Sequence, residues 1–186
     1  MKPAAILLAG GASTRMGQPK ALLPIAGETF LGRLIGLYAA CCDPVIVVLG
    51  HQASGIRAGI QAEVQWVVNA QPERGQFSSL QTGLRALPPG VDCLFQPIDY
   101  PAVAASTIAT LATTPGELVI PCYDGQRGHP VRISPVIVAE LLMLPATGQA
   151  RDVIRSHYPA AVFVEVADAG VVIDIDTPED FARWIA

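Results

Sequence analysis

The residues of this chain best placed to do chemistry stand near its start: Gly10, Gly11, Ala12, Ser13, Arg15, Gly17 and Lys20, following directly on the apolar run 4–8. Two glycines at the end of a buried strand let backbone N–H groups approach an anion closely, and one Arg and one Lys follow within ten positions. That combination suits a triphosphate. A dinucleotide fingerprint needs G-x-G-x-x-G, whereas these glycines fall at 10, 11 and 17. A P-loop needs Gly-Lys-Ser/Thr, whereas Lys20 stands three residues after Gly17.

Carboxylates supply the second group. Asp99, in Pro97-Ile98-Asp99-Tyr100-Pro101, follows a short apolar run, and Asp174 and Asp176 sit in Asp174-Ile175-Asp176-Thr177-Pro178-Glu179-Asp180. Phosphoryl-type transfer uses a metal to bridge phosphate oxygens, and Mg²⁺ takes one or two carboxylates together with water and substrate. Asp99 is the expected ligand, joined by Asp176 or Asp174 from one face of a strand. The competing reading is that helix-start acids answer the macrodipole, with Thr177 as N-cap and Pro178 in the first turn.

Asn69, Gly75, Ser78 and Ser79 form a third group, in which Ser78 is an expected N-cap and the helix start suits phosphate. In Arg127-Gly128-His129-Pro130, the histidine could donate to a phosphate or orient an acceptor, or bond its own backbone. His51 and His157 lie in no motif and read as surface residues. The cysteines at 41, 42, 93 and 122 show no C-x-x-C spacing and read as reduced, mostly buried thiols.

These groups need a rigid frame. Apolar, β-branched runs at 4–8, 44–49, 64–68, 93–95, 118–120, 162–166 and 171–175 read as strands. Helical spacing links Phe30, Leu31, Leu34, Ile35 and Tyr38, then Leu80, Leu84 and Leu87, then Ile137, Leu141 and Leu144. Alternating elements imply a mainly parallel sheet with helices on both faces, and ligands beyond the carboxyl ends of its strands. The segment 123–130 is expected as a loop over that edge.

The 186 residues, 51% hydrophobic and 15% charged, suit one domain spanning 1–186. A net charge of −4 with no basic run argues against a nucleic-acid partner. No apolar run reaches the roughly 18 residues of a membrane span. The expectation is a soluble, cytoplasmic protein with no membrane partner.

The stretch from Leu8 to Lys20 resembles L-A-[AG]-G-x-S-x-R-M-G-x-x-K, the N-terminal signature of nucleotidyltransferases related to the molybdenum cofactor cytidylyl- and guanylyltransferases. The spacing of Asn69, Gly75, Ser78, Ser79 and Leu80 resembles N-x5-G-x-x-S-S-L of that family, and residues 174–180 resemble D-[IV]-D-T-P-E-D. Gly128-His129-Pro130 is similar to the cytidylyl branch. Two departures stand out: Ile98 replaces the Gly of G-D-x-P, and 148–151 is shorter than G-D-x-G-A-R and lacks its Asp.

The resemblance implies a three-layer, Rossmann-like nucleotidyltransferase α/β fold and Mg²⁺-dependent transfer of a nucleoside monophosphate to a phosphorylated acceptor, with pyrophosphate released. It implies nucleotide contacts from Leu8, Ala9, Gly10, Gly11, Ala12, Ser13, Arg15, Lys20, Asn69, Gly75, Ser78 and Ser79. Arg15, Lys20 and Asp99 would be catalytic, Asp99, Asp176 and Asp174 metal-binding, and Gly128, His129 and Arg151 acceptor-binding. CTP and molybdopterin are favoured, with a recipient molybdoenzyme as a further partner. Gly10 in the third loop position is similar to the guanylyl branch, so GTP is the alternative nucleotide. A sugar or alcohol phosphate is the alternative acceptor, and a non-catalytic nucleotide-binding sensor for a molybdoenzyme is the alternative of another class.

Overall fold

All six side chains of the first strand, β1 (Ala4–Ala9), are buried because strands hydrogen-bond to it on both sides and helices cover both faces. The computed structural model describes residues 2–145 and 147–185. After β1 come the ribbon β2 (Pro24–Ile25) and β3 (Glu28–Thr29), then α1 (Phe30–Ala39), β4 (Val45–Leu49), α2 (Ala53–Ala58), β5 (Gln65–Val68) and α3 (Gln76–Leu84). The second half runs β6 (Cys93–Pro97), α4 (Ala105–Thr113), β7 (Leu118–Tyr123), β8 (Gln126–Arg127), β9 (Val131–Ile133), α5 (Pro135–Met143), α6 (Ala150–Ser156), β10 (Val162–Glu165) and α7 (Pro178–Ile185).

The main sheet has the order β10-β7-β9-β6-β1-β4-β5, with β8 added to β7. Pairings β1–β4, β1–β6, β4–β5 and β7–β10 are parallel, while β9 runs antiparallel between β6 and β7. Alternate residues of β1 divide the core. Ala5, Leu7 and Ala9 face α1, α2 and α4, whereas Ile6 and Leu8 face α3, α5 and α6. The expected three-layer α/β fold is what forms.

Three local expectations are corrected. The 123–130 segment is not an open loop: β8 pairs back on β7, and β9 follows within the sheet. Residues 171–175 are not a strand. A 3₁₀ turn covers Ala169–Val171 and the chain then runs without a ladder, its backbone tied instead at single points such as Ile175 N to Asp99 O (2.8 Å). Ser78 does not cap α3, because Gly75 holds the N-cap at φ +88° and Ser78 lies inside the first turn, its hydroxyl donating to the Gly75 carbonyl at 2.8 Å.

The last helix closes over the start of α1. Phe181 and Trp184 meet the Phe30 ring edge-on at 5.7 and 5.8 Å, with Met16, Leu23 and Ile175 in the same apolar cluster. That cluster fixes two polar segments at once: the loop after β1, through Met16, and the acidic segment before α7, through Ile175.

Candidate active site

At the carboxyl end of β1 the chain leaves the sheet through Gly10, where backbones crowd. A Cβ on Gly50 would sit 2.5 Å from the Gly10 carbonyl oxygen, and one on Gly10 would sit 2.8 Å from Ser79 Oγ. Ser13 then adopts φ +51°, its carbonyl accepting from Met16 and Gly17 N–H (3.1 Å each), while its hydroxyl accepts from Lys20 N–H at 3.1 Å. Ser13 therefore staples the loop, and residues 10–15 form one wall of a cleft of about 350 Å³.

Lys20 is the floor of this cleft and is only 7% exposed. Its ammonium donates to Asp99 Oδ1 at 3.0 Å and to Asp176 Oδ1 at 2.5 Å. Arg15 reaches from the exposed loop to the other oxygen of Asp176, at 2.7 Å. Asp99 stands two residues past the end of β6, and Ile98 N–H bonds the Leu8 carbonyl, which sets that carboxylate beside the glycine loop. Thr177 and Asp180 cap α7 reciprocally, Thr177 Oγ1 accepting from Asp180 N–H and Asp180 Oδ2 from Thr177 N–H. The start of α7 is thereby fixed and Asp176 is presented to the cleft.

Each of Asp99, Asp174 and Asp176 offers a carboxylate oxygen, and these three oxygens all lie within 4.8 Å of one another. Hard oxygen donors at that separation fit Mg²⁺ or Mn²⁺. Burial pushes the Asp99 carboxyl up, and Lys20 only partly draws it back. Burial and then the charges of Asp176 and Asp99 push Asp174 up as well. The hydrogen bond from Lys20 holds Asp176 below its ordinary value. For Lys20, burial works downward but the two carboxylates outweigh it and keep the ammonium above its usual range. Three carboxylates against two cations leave an excess of negative charge where a divalent ion would sit.

Leu8, Ala9, Gly10, Gly11, Ala12, Ser13, Arg15, Lys20, Gly75, Ser79, Asp99 and Asp176 all line the cleft. Asn69 and Ser78 do not; they line an adjoining hollow. Buried Asn69 donates to Ser78 Oγ (2.8 Å) and Ser79 Oγ (3.1 Å) and accepts from Gln71 N–H, an arrangement that shapes the loop behind the cleft. Arg151 is exposed on the first turn of α6, with Asp152 at 3.9 Å, and is outside the cleft lining.

Gly128 and His129 lie just before β9, outside the cleft lining. A Cβ on Gly128 would overlap the Val171 carbonyl, which accepts the His129 N–H at 2.8 Å. The His129 ring packs 4.8 Å from that of Tyr100 and 6.1 Å from that of Phe95, and its Nδ1 is buried without a partner among the described residues. Burial lowers this imidazole to about 4, so at neutral pH it is uncharged and brings no positive charge to a phosphate. Tyr100, pushed up to about 12 by burial and the neighbouring carboxylates, is close to both His129 and the acidic group.

Sequence reasoning missed Thr14, Ala21, His51, Ile56, Pro72, Gln76 and Ile98, which complete the cleft wall. His51 could have been found from position, since it follows the end of β4, the parallel neighbour of β1.

The model of the MobA-like NTP transferase domain matches residues 5–162. The chain belongs to that family. It is 26% identical over 182 residues to the molybdenum cofactor cytidylyltransferase of Escherichia coli strain K12, covering 95% of this chain and 92% of that protein. It is 28% identical to the nicotine blue oxidoreductase of Paenarthrobacter nicotinovorans, covering 97% and 95%. Among solved structures, Rv0371c of Mycobacterium tuberculosis H37Rv superposes with a TM-score of 0.88 at 29% identity, covering 98% of this chain and 96% of that one. The same protein has also been solved in complex with manganese.

Proposed function

We propose that residues 1–186 form one nucleotidyltransferase domain that transfers CMP from CTP to a phosphorylated acceptor, molybdopterin or its metal-loaded cofactor, and releases pyrophosphate. One observation carries the reading: a glycine loop, a buried lysine, Asp99 and Asp176 line one cleft at the carboxyl edge of the sheet, with exposed Asp174 beside the two carboxylates. The relative named a cytidylyltransferase, aligned over nearly all of both chains, and the Gly128-His129-Pro130 segment support CTP and molybdopterin.

In this mechanism an anionic phosphate oxygen of the acceptor attacks the α-phosphorus, forming a new P–O bond while the bond to the β-phosphate oxygen breaks. Backbone N–H groups of residues 10–13 hold the triphosphate, and Arg15 and Lys20 neutralise charge gathering on the departing pyrophosphate. Asp99, Asp176 and Asp174 would hold Mg²⁺, which offsets charge on the phosphate oxygens. The acceptor oxygen is already ionised, so no side chain has to remove a proton. Tyr100 and His129, packed together near the acidic group, would contact the acceptor.

The test is calorimetric titration with CTP, GTP, ATP and UTP in Mg²⁺, followed by mass analysis of products formed with molybdopterin. Selective CTP binding and a cytidylylated product support the proposal, and a guanylylated product would move it to the sister activity. The oxidoreductase relative supplies the rival reading. NADH and NADPH are therefore added to the titration, and a redox enzyme is indicated if either binds while no triphosphate does.

A further inference from the structure

Lys20 bridges two of the three carboxylates that would hold a metal ion. Its ammonium bonds the Oδ1 atoms of both Asp99 and Asp176, two members of the three-carboxylate group whose oxygens lie within 4.8 Å of one another. An ammonium and a divalent cation bonded to the same pair of carboxylates would stand only a few ångströms apart in a poorly hydrated site, and their charges repel. Arg15 differs. It takes only Asp176 Oδ2, from a side chain 68% exposed, and can swing into solvent without leaving a buried charge unpaired. Lys20 has no such exit, since its side chain is 8% exposed and its backbone is pinned to Ser13. Its one open direction is the cleft that residues 10–13 line.

We propose that Lys20 is a built-in stand-in for the metal. It holds Asp99 and Asp176 together in the free protein and is displaced into the cleft when a divalent ion binds. A triphosphate in the cleft gives the displaced ammonium a new anionic partner. Metal and triphosphate therefore bind with positive coupling: each is weak alone, and each strengthens the other by the same factor. This rests on the nucleotidyltransferase reading of the cleft and adds to it the order in which its cations exchange.

The sequence offers a clean probe, because Lys2 is the other lysine of the chain and is exposed. Acetylation of the intact wild-type protein with limiting acetic anhydride, mapped by mass spectrometry, reads Lys20 against Lys2. Mn²⁺ binding is followed in parallel by loss of the free-ion electron paramagnetic resonance signal. Saturating Mn²⁺ alone should raise Lys20 labelling several-fold, and CTP added to the Mn²⁺-loaded protein should suppress it again. Lys20→Met should bind Mn²⁺ about tenfold or more tightly than wild type, a factor in the usual range of site–site coupling. Arg15→Met removes the same unit charge and should change the affinity far less.

If Mn²⁺ binds wild type and Lys20→Met equally, or binds without altering Lys20 labelling, the stand-in proposal fails while the metal site survives. If Mn²⁺ binds neither protein, the metal reading of the carboxylates fails and the exchange with it. The labelling arm uses only wild-type protein, so it decides the matter even if Lys20→Met does not fold.

Discussion

The backbone N–H of Ile175 donates to the carbonyl of Asp99 at 2.8 Å. This single bond joins the end of β6 to the segment before α7 and brings Asp174 and Asp176 to Asp99. The apolar side chain of Ile175, fully buried beside Phe30, anchors the segment from the other direction. One hydrogen bond and one buried isoleucine thus join the reciprocal cap of α7 and the Lys20 bridge in setting a carboxylate group drawn from residues more than seventy positions apart.

Asp99→Ala should lower the rate of pyrophosphate release by about 10²- to 10³-fold, the usual size of losing one preorganised charged group, with CTP affinity in the absence of metal retained or raised, since Lys20 loses one of its two carboxylate partners. Stopped assays for pyrophosphate, together with calorimetry in chelator, check both halves. A variant that keeps near wild-type turnover would remove Asp99 from the mechanism.

Gly50→Ala should push the glycine loop outward, since the new methyl group would meet both the Gly10 carbonyl and Pro72 Cβ. Overpacking of this kind costs about 1–3 kcal/mol. The expected result is a lower urea midpoint together with at least tenfold weaker triphosphate binding. Unchanged binding with lowered stability would show that the loop adapts.

Asp168→Ala separates stability from function. The Asp168 carboxylate accepts from Ala104 N–H (2.9 Å), Thr107 Oγ1 (2.7 Å) and Gly170 N–H (2.9 Å), capping α4 from a distant segment. Its loss leaves the buried Thr107 hydroxyl unpaired and should cost about 1–3 kcal/mol in denaturant unfolding, with triphosphate affinity retained.

Two groups make opposite contributions to the pH profile of stability. His129 is lowered from about 6.5 to about 4, so below pH 6.5 the unfolded chain binds a proton that the folded chain refuses. Stability falls between those values by up to about 3 kcal/mol, and His129→Gln should flatten that acid limb in chemical unfolding at pH 7 and pH 4. Lys20 is raised, so its contribution is fully present below its unfolded value and is lost as pH rises through its folded one. Lys20→Met should flatten the alkaline limb, and an unaltered slope above pH 10 would contradict the ion pairing.

Much of this was readable in the residues because local rules decided it. A buried strand running into two glycines, a helix with Phe30, Leu31, Leu34, Ile35 and Tyr38 on one face, and Thr177-Pro178 before α7 each carry their own instructions. Residues 171–175 misled because β-branched residues satisfy a strand pattern whether or not a ladder partner is available. Here Val171 turns toward Gly128 and His129 instead. The strand β9 was invisible for the opposite reason. It is three residues long with Arg132 in the middle, and that arginine is tolerated because its guanidinium pairs with Asp92 and the Gly116 carbonyl. The place of Asn69 behind the cleft depended on which serine its amide would meet, a tertiary fact that spacing does not contain.

The contacts of Lys20 span 79 residues to Asp99 and 156 to Asp176, nearly the length of the polypeptide. Closing such long loops carries an entropic cost that short-range helices escape, and chains dominated by distant contacts fold slowly. A refolding molecule should therefore regain its helical signal before Lys20, Asp99 and Asp176 come together, which far-UV circular dichroism followed alongside Lys20 labelling would check. The acidic group needs both distant segments in place, so a nascent or damaged chain with only a few native helices lacks it.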